Sequence, residues 1–124
     1  MSFIHIKISG IPYARNKVRG NPLGPKEWSE TVKQQTKDLP KIKEACILKV
    51  TFLLPSDKYP KDYPYGSDLD NLLKRFQDAL NETIFSEEKG KDSCIISLSA
   101  SKVKVNSVAE AGALLEVIPI NISY

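Results

Sequence analysis

Nitrogen and sulfur metal ligands, and long apolar runs, are what this chain has least of. It holds one histidine, His5, and two cysteines, Cys46 and Cys94, with no Cys-x-x-Cys or His-x-x-x-His spacing among them. A structural zinc site takes four closely placed N or S ligands, so the sequence argues against one. Both cysteines lie inside apolar runs and read as buried thiols rather than a disulfide. No apolar stretch approaches the ~18 to 20 residues of a membrane span, and Met1 to Gly10 lacks the apolar core of a secretory signal. No membrane partner is expected, and the expected location is the cytoplasm. Internal repeats and low-complexity tracts are absent as well.

What is present is ordinary in amount and uneven in placement. A length of 124 residues predicts one domain with one modest core. Hydrophobic residues at 41% and charged residues at 27% suit a folded globular chain rather than a disordered one. The net charge of +3 is a mild hint of an anionic partner, but residues 1–49 hold ten Lys or Arg against four Asp or Glu, and residues 50–124 hold eight against eleven. A basic front half with an acidic cluster behind it suits a protein that attracts phosphate and holds a cation. Solvated surface charge explains the same count in many ordinary proteins.

Along the chain, Phe3 to Ser9 alternates apolar and polar residues and reads as a strand ended by Gly10 and Pro12. His5 alternates with its apolar neighbours there, as a strand residue rather than a ligand or base. Ile11 to Pro25 has prolines, glycines and no apolar period, so it reads as a long loop. Its Arg15, Asn16, Lys17 and Arg19 are candidate phosphate contacts, a flexible basic surface loop being the alternative. Lys26 to Thr36 predicts a helix with a narrow apolar face of Trp28 and Val32, Trp28 being read as core. Ala45 to Leu54 is a strand, placed centrally by its apolar content. The loop from Pro55 to Gly66 carries Lys58 and Lys61, for phosphates, and Tyr59, Tyr63 and Tyr65, for stacking on bases or packing on the body. A second helix runs from Leu69 to about Asn81, followed by a packed-back Glu82 to Phe85 and a charged turn. A long strand, Ser93 to Val105, and a last one, Ala113 to Ile118, are expected to pair as an antiparallel hairpin. Strand, helix, strand, helix, strand, strand in one domain predicts an α+β fold with helices packed on a mixed sheet.

The second helix carries the most informative polar residues. Leu69, Leu72, Leu73, Phe76, Ala79 and Leu80 form its apolar stripe, and Asp70, Lys74 and Asp78 line one flank. Asp68 shares a site with Asp70 only if it precedes the helix in extended geometry, where residues two apart point the same way. Two carboxylates aimed at one point repel each other unless a proton or cation intervenes, and oxygen ligands suit Mg²⁺, Mn²⁺ or Ca²⁺. The alternative is that Asp68 caps the helix and Asp70 complements its dipole. Lys74 either neutralises charge on a bound phosphate or makes an i, i+4 salt bridge with Asp70 or Asp78. Asp78, two turns from Asp70, is read as structural.

Asp68-Leu69-Asp70-Asn71-Leu72-x-Lys74, then Asp78-Ala79-Leu80, then an acid before Ser93-Cys94-Ile95-Ile96, resembles the RusA family of Holliday junction resolvases, small and often phage-derived metal-dependent endonucleases. The resemblance is densest over Asp68 to Ile96. It implies a homodimeric Mg²⁺-dependent endodeoxyribonuclease, with Mn²⁺ as a possible substitute, that makes paired nicks in four-way DNA junctions in recombination and repair, beside the nucleoid. It implies Asp68, Asp70 and Asp92 as metal ligands and catalytic residues, with Lys74, and no small-molecule cofactor. Asp92 inherits its role from its place before the strand; the turn here is longer than usual, which makes Glu87 or Glu88 a competing candidate. A Pro/Asn/Arg-containing segment after the first strand is also family-like. The arginine-rich tract common before the acidic site is reduced here to Lys58 and Lys61, so a branched-DNA binding module without cleavage is the alternative function. A four-way junction has two-fold symmetry, which makes a two-fold homodimer the natural assembly.

Overall fold

The computed structural model describes residues 3–14, 24–56, 68–87 and 90–120. Strand β1 (Ile4–Ser9) is followed by helix α1 (Gly24–Thr36), β2 (Cys46–Pro55), α2 (Leu69–Leu80), a 3₁₀ turn at Lys91–Cys94, β3 (Ile95–Val105), a short 3₁₀ turn at Val108–Glu110 and β4 (Gly112–Pro119). This is the expected α+β arrangement, with two helices on one mixed sheet.

The strand order is β1-β4-β2-β3. β4 is antiparallel to both β1 and β2, while β3 runs parallel to β2. The expected hairpin of Val103 to Ile118 is therefore not formed: β4 crosses to the far side of β2 and inserts beside β1. Composition explains the exchange of places. β4 (GALLEVIP) is apolar enough for an interior position and buries Ala113, Leu115 and Val117, whereas β3 (IISLSASKVKV) carries serines and lysines and no residue of it is buried. β3 also begins two residues later than expected, because Lys91–Cys94 closes into 3₁₀ geometry.

The core follows the two-residue period of the strands. Ile4 and Ile8 of β1, Ala113, Leu115 and Val117 of β4, and Cys46, Leu48, Val50, Phe52 and Leu54 of β2 are buried on one face of the sheet. The helices cover that face with Trp28 and Val32 of α1 and Leu72, Phe76, Ala79 and Leu80 of α2. Phe76 joins the layers: its ring stacks on Trp28 at 6.4 Å between centroids and meets Phe52 edge-on at 5.6 Å.

Three contacts in sequence hold the helices parallel. Arg75 donates to the Pro25 carbonyl (3.3 Å) and Ser29 Oγ (3.1 Å), Lys33 pairs with Glu82 at 2.9 Å, and the buried Thr36 and Thr83 hydroxyls bond at 2.8 Å. Glu82 to Phe85 does fold the chain back, burying Thr83, Ile84 and Phe85, and the Ile42 N–H donates to the Ile84 carbonyl at 2.7 Å. Because the C-terminal end of α2 lies at the start of β2, α2 runs antiparallel to β2 and β3.

Candidate active site

Helix α2 starts where the acidic motif requires. Leu69 is its first residue, and Asp68 precedes it with φ −62° and ψ 133°, extended backbone. The Asp68 carbonyl accepts the first helical bond from Leu72 N–H (3.0 Å), but its carboxylate makes no capping hydrogen bond to the backbone. It meets a side chain instead, with Asn71 Nδ2 donating to Asp68 Oδ2 at 3.5 Å. Asp70, in the first turn, accepts from the Asn71 N–H at 3.0 Å. Both aspartates are exposed, at the end of a helix whose dipole favours anions. Two carboxylates with water access are a donor set that fits a hard divalent ion, since Mg²⁺ is commonly held by one or two carboxylates plus water and phosphate.

Lys74 stands one turn along the same flank, exposed. Among the described residues it has no salt-bridge partner, so its i, i+4 pairing with Asp70 or Asp78 is not made. Asp78, further along, is likewise exposed.

Asp92 lies elsewhere. Its Oδ2 accepts from Asn81 Nδ2 at 3.3 Å, and Asn81 is the C-cap of α2. Eleven residues separate Asn81 from Asp70, which puts them on one face of the helix and about 16 Å apart along its axis. Among the described residues, no three His, Cys, Asp or Glu side chains form a group able to hold a metal ion. The expected convergence of Asp92 with Asp68 and Asp70 is therefore not met within one chain, because the antiparallel run of α2 against β3 puts the start of β3 at the wrong end of the helix. Glu87, the competing candidate, pairs with Lys43 at 3.1 Å; Glu88 lies outside the described residues. Arg15, Asn16, Lys17, Arg19, Lys58 and Lys61, and the tyrosines Tyr59, Tyr63 and Tyr65, also lie outside them.

Two residue pairs given no role in the sequence reading lie on this helix or on the strand that packs beside it. Asn71 and Asn81 each hold one aspartate, and no periodicity singles them out from other polar helix residues. Lys102 and Lys104 of β3 are level with Phe52 and Leu54 of β2, both buried toward the helices, so they lie on the helix side of the sheet. Phe76, which touches Phe52, sits six residues after Asp70. The lysine-bearing end of β3 thus approaches the N-terminal half of α2. Alternation along β3 was the available signal, once its register with β2 is known.

The sequence model of the family described as endodeoxyribonuclease RusA matches residues 24–112, from the first residue of α1 to the first of β4. The chain belongs to the RusA family. The match spans both helices, β2, β3 and all four of the motif residues Asp68, Asp70, Lys74 and Asp92. Membership assigns this RusA-family chain to the Holliday junction endodeoxyribonucleases, acting on branched DNA. No curated protein matches it. No helix of this RusA-family protein, among the described residues, is long and apolar enough to cross a membrane.

Proposed function

We propose that this RusA-family protein hydrolyses phosphodiester bonds at four-way DNA junctions in a divalent-metal-dependent reaction, as a homodimer that nicks two opposed strands. The observation that supports this reading is Asp68: it is set in extended backbone at the head of α2 with its carboxylate not used as a cap. Asp68 and Asp70 would hold the ion, Mg²⁺ or Mn²⁺. A bound ion of this kind supplies a water of lowered pKa and positive charge beside the scissile phosphate. Lys74, exposed on the same flank, places an ammonium where negative charge grows on the phosphate. Arg15, Asn16, Lys17, Arg19, Lys58 and Lys61 are the proposed DNA contacts, which makes affinity fall with salt.

Incubating labelled junction and matched duplex with Mg²⁺ or with EDTA tests this. Paired symmetric nicks in the junction alone, abolished by EDTA, are expected. Binding that is salt-dependent with no cleavage in Mg²⁺ would instead establish the second reading, a branched-DNA binding module. The separation of Asp92 from the other two acids within one chain is the observation that favours that alternative.

A further inference from the structure

We propose that Cys46 and Cys94 are a redox pair: a peroxide joins them in an internal disulfide, which draws the turn carrying Asp92 toward β2 and slows the reaction. The disulfide follows from the placement of the two thiols, and only its effect on cleavage rests on the nuclease reading above.

Cys46 opens β2, fully buried, between Ile95 of β3 and Pro119 of β4. Cys94 closes the 3₁₀ turn Lys91–Cys94 and directly precedes Ile95. Strand partners lie about 5 Å apart, so the neighbour of Ile95 is within reach of the Cys46 side chain. The two sulfurs meet there: the thiols hydrogen-bond to each other, and Cys94 packs on the core to which Cys46 belongs. Their exposure differs. Cys46 shows no surface, whereas Cys94 is half-buried, so an oxidant reaches Cys94 first and Cys46 is the resolving thiol.

With hydrogen peroxide, the Cys94 sulfur attacks one peroxide oxygen, the oxygen–oxygen bond breaks, and Cys94 becomes a sulfenic acid with release of water. The Cys46 sulfur then attacks the Cys94 sulfur, and the sulfenic oxygen leaves as a second water with the Cys46 proton. Two thiols have given up two electrons and two protons, and one peroxide has become two waters.

A disulfide holds its sulfurs about 2 Å apart, closer than two thiols in hydrogen-bonding contact. The closing movement falls on Cys94. Cys46 is fixed by a strand on each side, but Cys94 lies between two irregularities. Lys91, with φ 52°, begins its turn, and the register shifts opposite Cys46 and Ile47, leaving Ile96 without a partner in β2. Asp92 is in the same turn, and its Oδ2 meets Asn81 Nδ2 at 3.3 Å. Oxidation therefore pulls Asp92 from the Asn81 amide. A disulfide that has to bend a turn to form is readily reduced, so the change is reversible.

Stepwise hydrogen peroxide treatment of the reduced full-length chain tests the pair. Intact mass should fall by two hydrogens per chain, and alkylation after denaturation should find no thiol left. Junction cleavage in Mg²⁺ should slow about 10-fold, the usual scale for a disturbed partner of a metal-site acid, and recover in dithiothreitol. Cys94→Ser should cut at the unaltered rate and ignore peroxide. Cys46→Ala should stop at the sulfenic acid, one oxygen heavier and trapped by dimedone. Persistence of the Cys46 thiol while Cys94 goes on to the sulfinic acid overturns the proposal, as does a disulfide between chains. A disulfide that forms within the chain while cleavage keeps its full rate overturns the link to Asp92. Should the reduced protein cut nothing, the nuclease reading fails, and the Asn81 side-chain amide resonance still decides: a shift on oxidation supports the movement of the turn, and an unchanged signal sinks it.

Discussion

Asn81 holds Asp92: the amide of the residue that ends α2 donates to the carboxylate that precedes β3, at 3.3 Å. The contact fixes the acid at one end of the helix, although the motif's other two acids stand at the opposite end. Asn81→Ala releases that carboxylate and should cost about 1 to 2 kcal/mol of unfolding free energy, the value of a hydrogen bond to a charged group that is part-buried. Urea denaturation measures it. A change under about 0.3 kcal/mol would mean that water replaces the amide at no cost.

Asp68→Asn and Asp70→Asn should abolish junction cleavage while leaving the fold alone. Both side chains are exposed and Asp68 caps nothing, so the stability change should stay within about 0.5 kcal/mol. Junction binding by gel shift should persist. A loss of binding with cleavage would show these acids acting on the fold rather than on the reaction.

Phe76→Ala should be among the most damaging single changes, because one ring contacts Trp28 of α1 and Phe52 of β2 at once. Truncation of a buried aromatic costs about 3 to 5 kcal/mol. A fall in Tm together with loss of α2 amide protection in hydrogen exchange is the expected result, since the helix bearing Asp70 is anchored there.

Gly112→Ala should destabilise the protein by more than an ordinary surface change. Gly112 has φ 153°, and a Cβ there would run into the Ile8 carbonyl oxygen. That oxygen belongs to the β1 backbone and has nowhere to go. A cost of about 1 to 3 kcal/mol is expected by thermal denaturation.

Cys46 sets a pH dependence. Burial pushes its thiol up to about 12, with the neighbouring Cys94 adding to the shift. The folded state therefore holds the thiol proton more tightly than the unfolded chain, whose cysteine titrates near its ordinary value of 9.0. Its contribution to stability is complete below about pH 9 and is lost as pH rises toward about 12. Unfolding free energy should fall over that window more steeply than in Cys46→Ala, and native Cys46 should react slowly with thiol reagents at neutral pH.

Much of this was legible in residue order. Strict alternation in β1 and the 3.6-residue period of α2 specify which faces are buried, and a site shared by Asp68 and Asp70 requires the helix to begin between them, as it does at Leu69. The pairing of β4 was not legible. Chain proximity favours a hairpin with β3, and only the competition for interior places, settled by the burial that Leu115 and Val117 gain over Lys102 and Lys104, moves it beside β1. The position of Asp92 was hidden for a related reason: a motif gives the order of the acids but not the direction in which a strand returns along a helix. The family match covers both helices, β2 and β3, while Asp92 lies at the opposite end of α2 from Asp68 and Asp70.

The central position of β4 bears on synthesis as well. β1 leaves the ribosome first, yet its one described strand partner is made last, after every other element. A nascent chain must therefore keep Ile4 and Ile8 out of trouble until residues 112–119 have emerged, and release of a chain broken off before them would yield a product with an unpaired first strand and a split core, prone to degradation rather than slow folding.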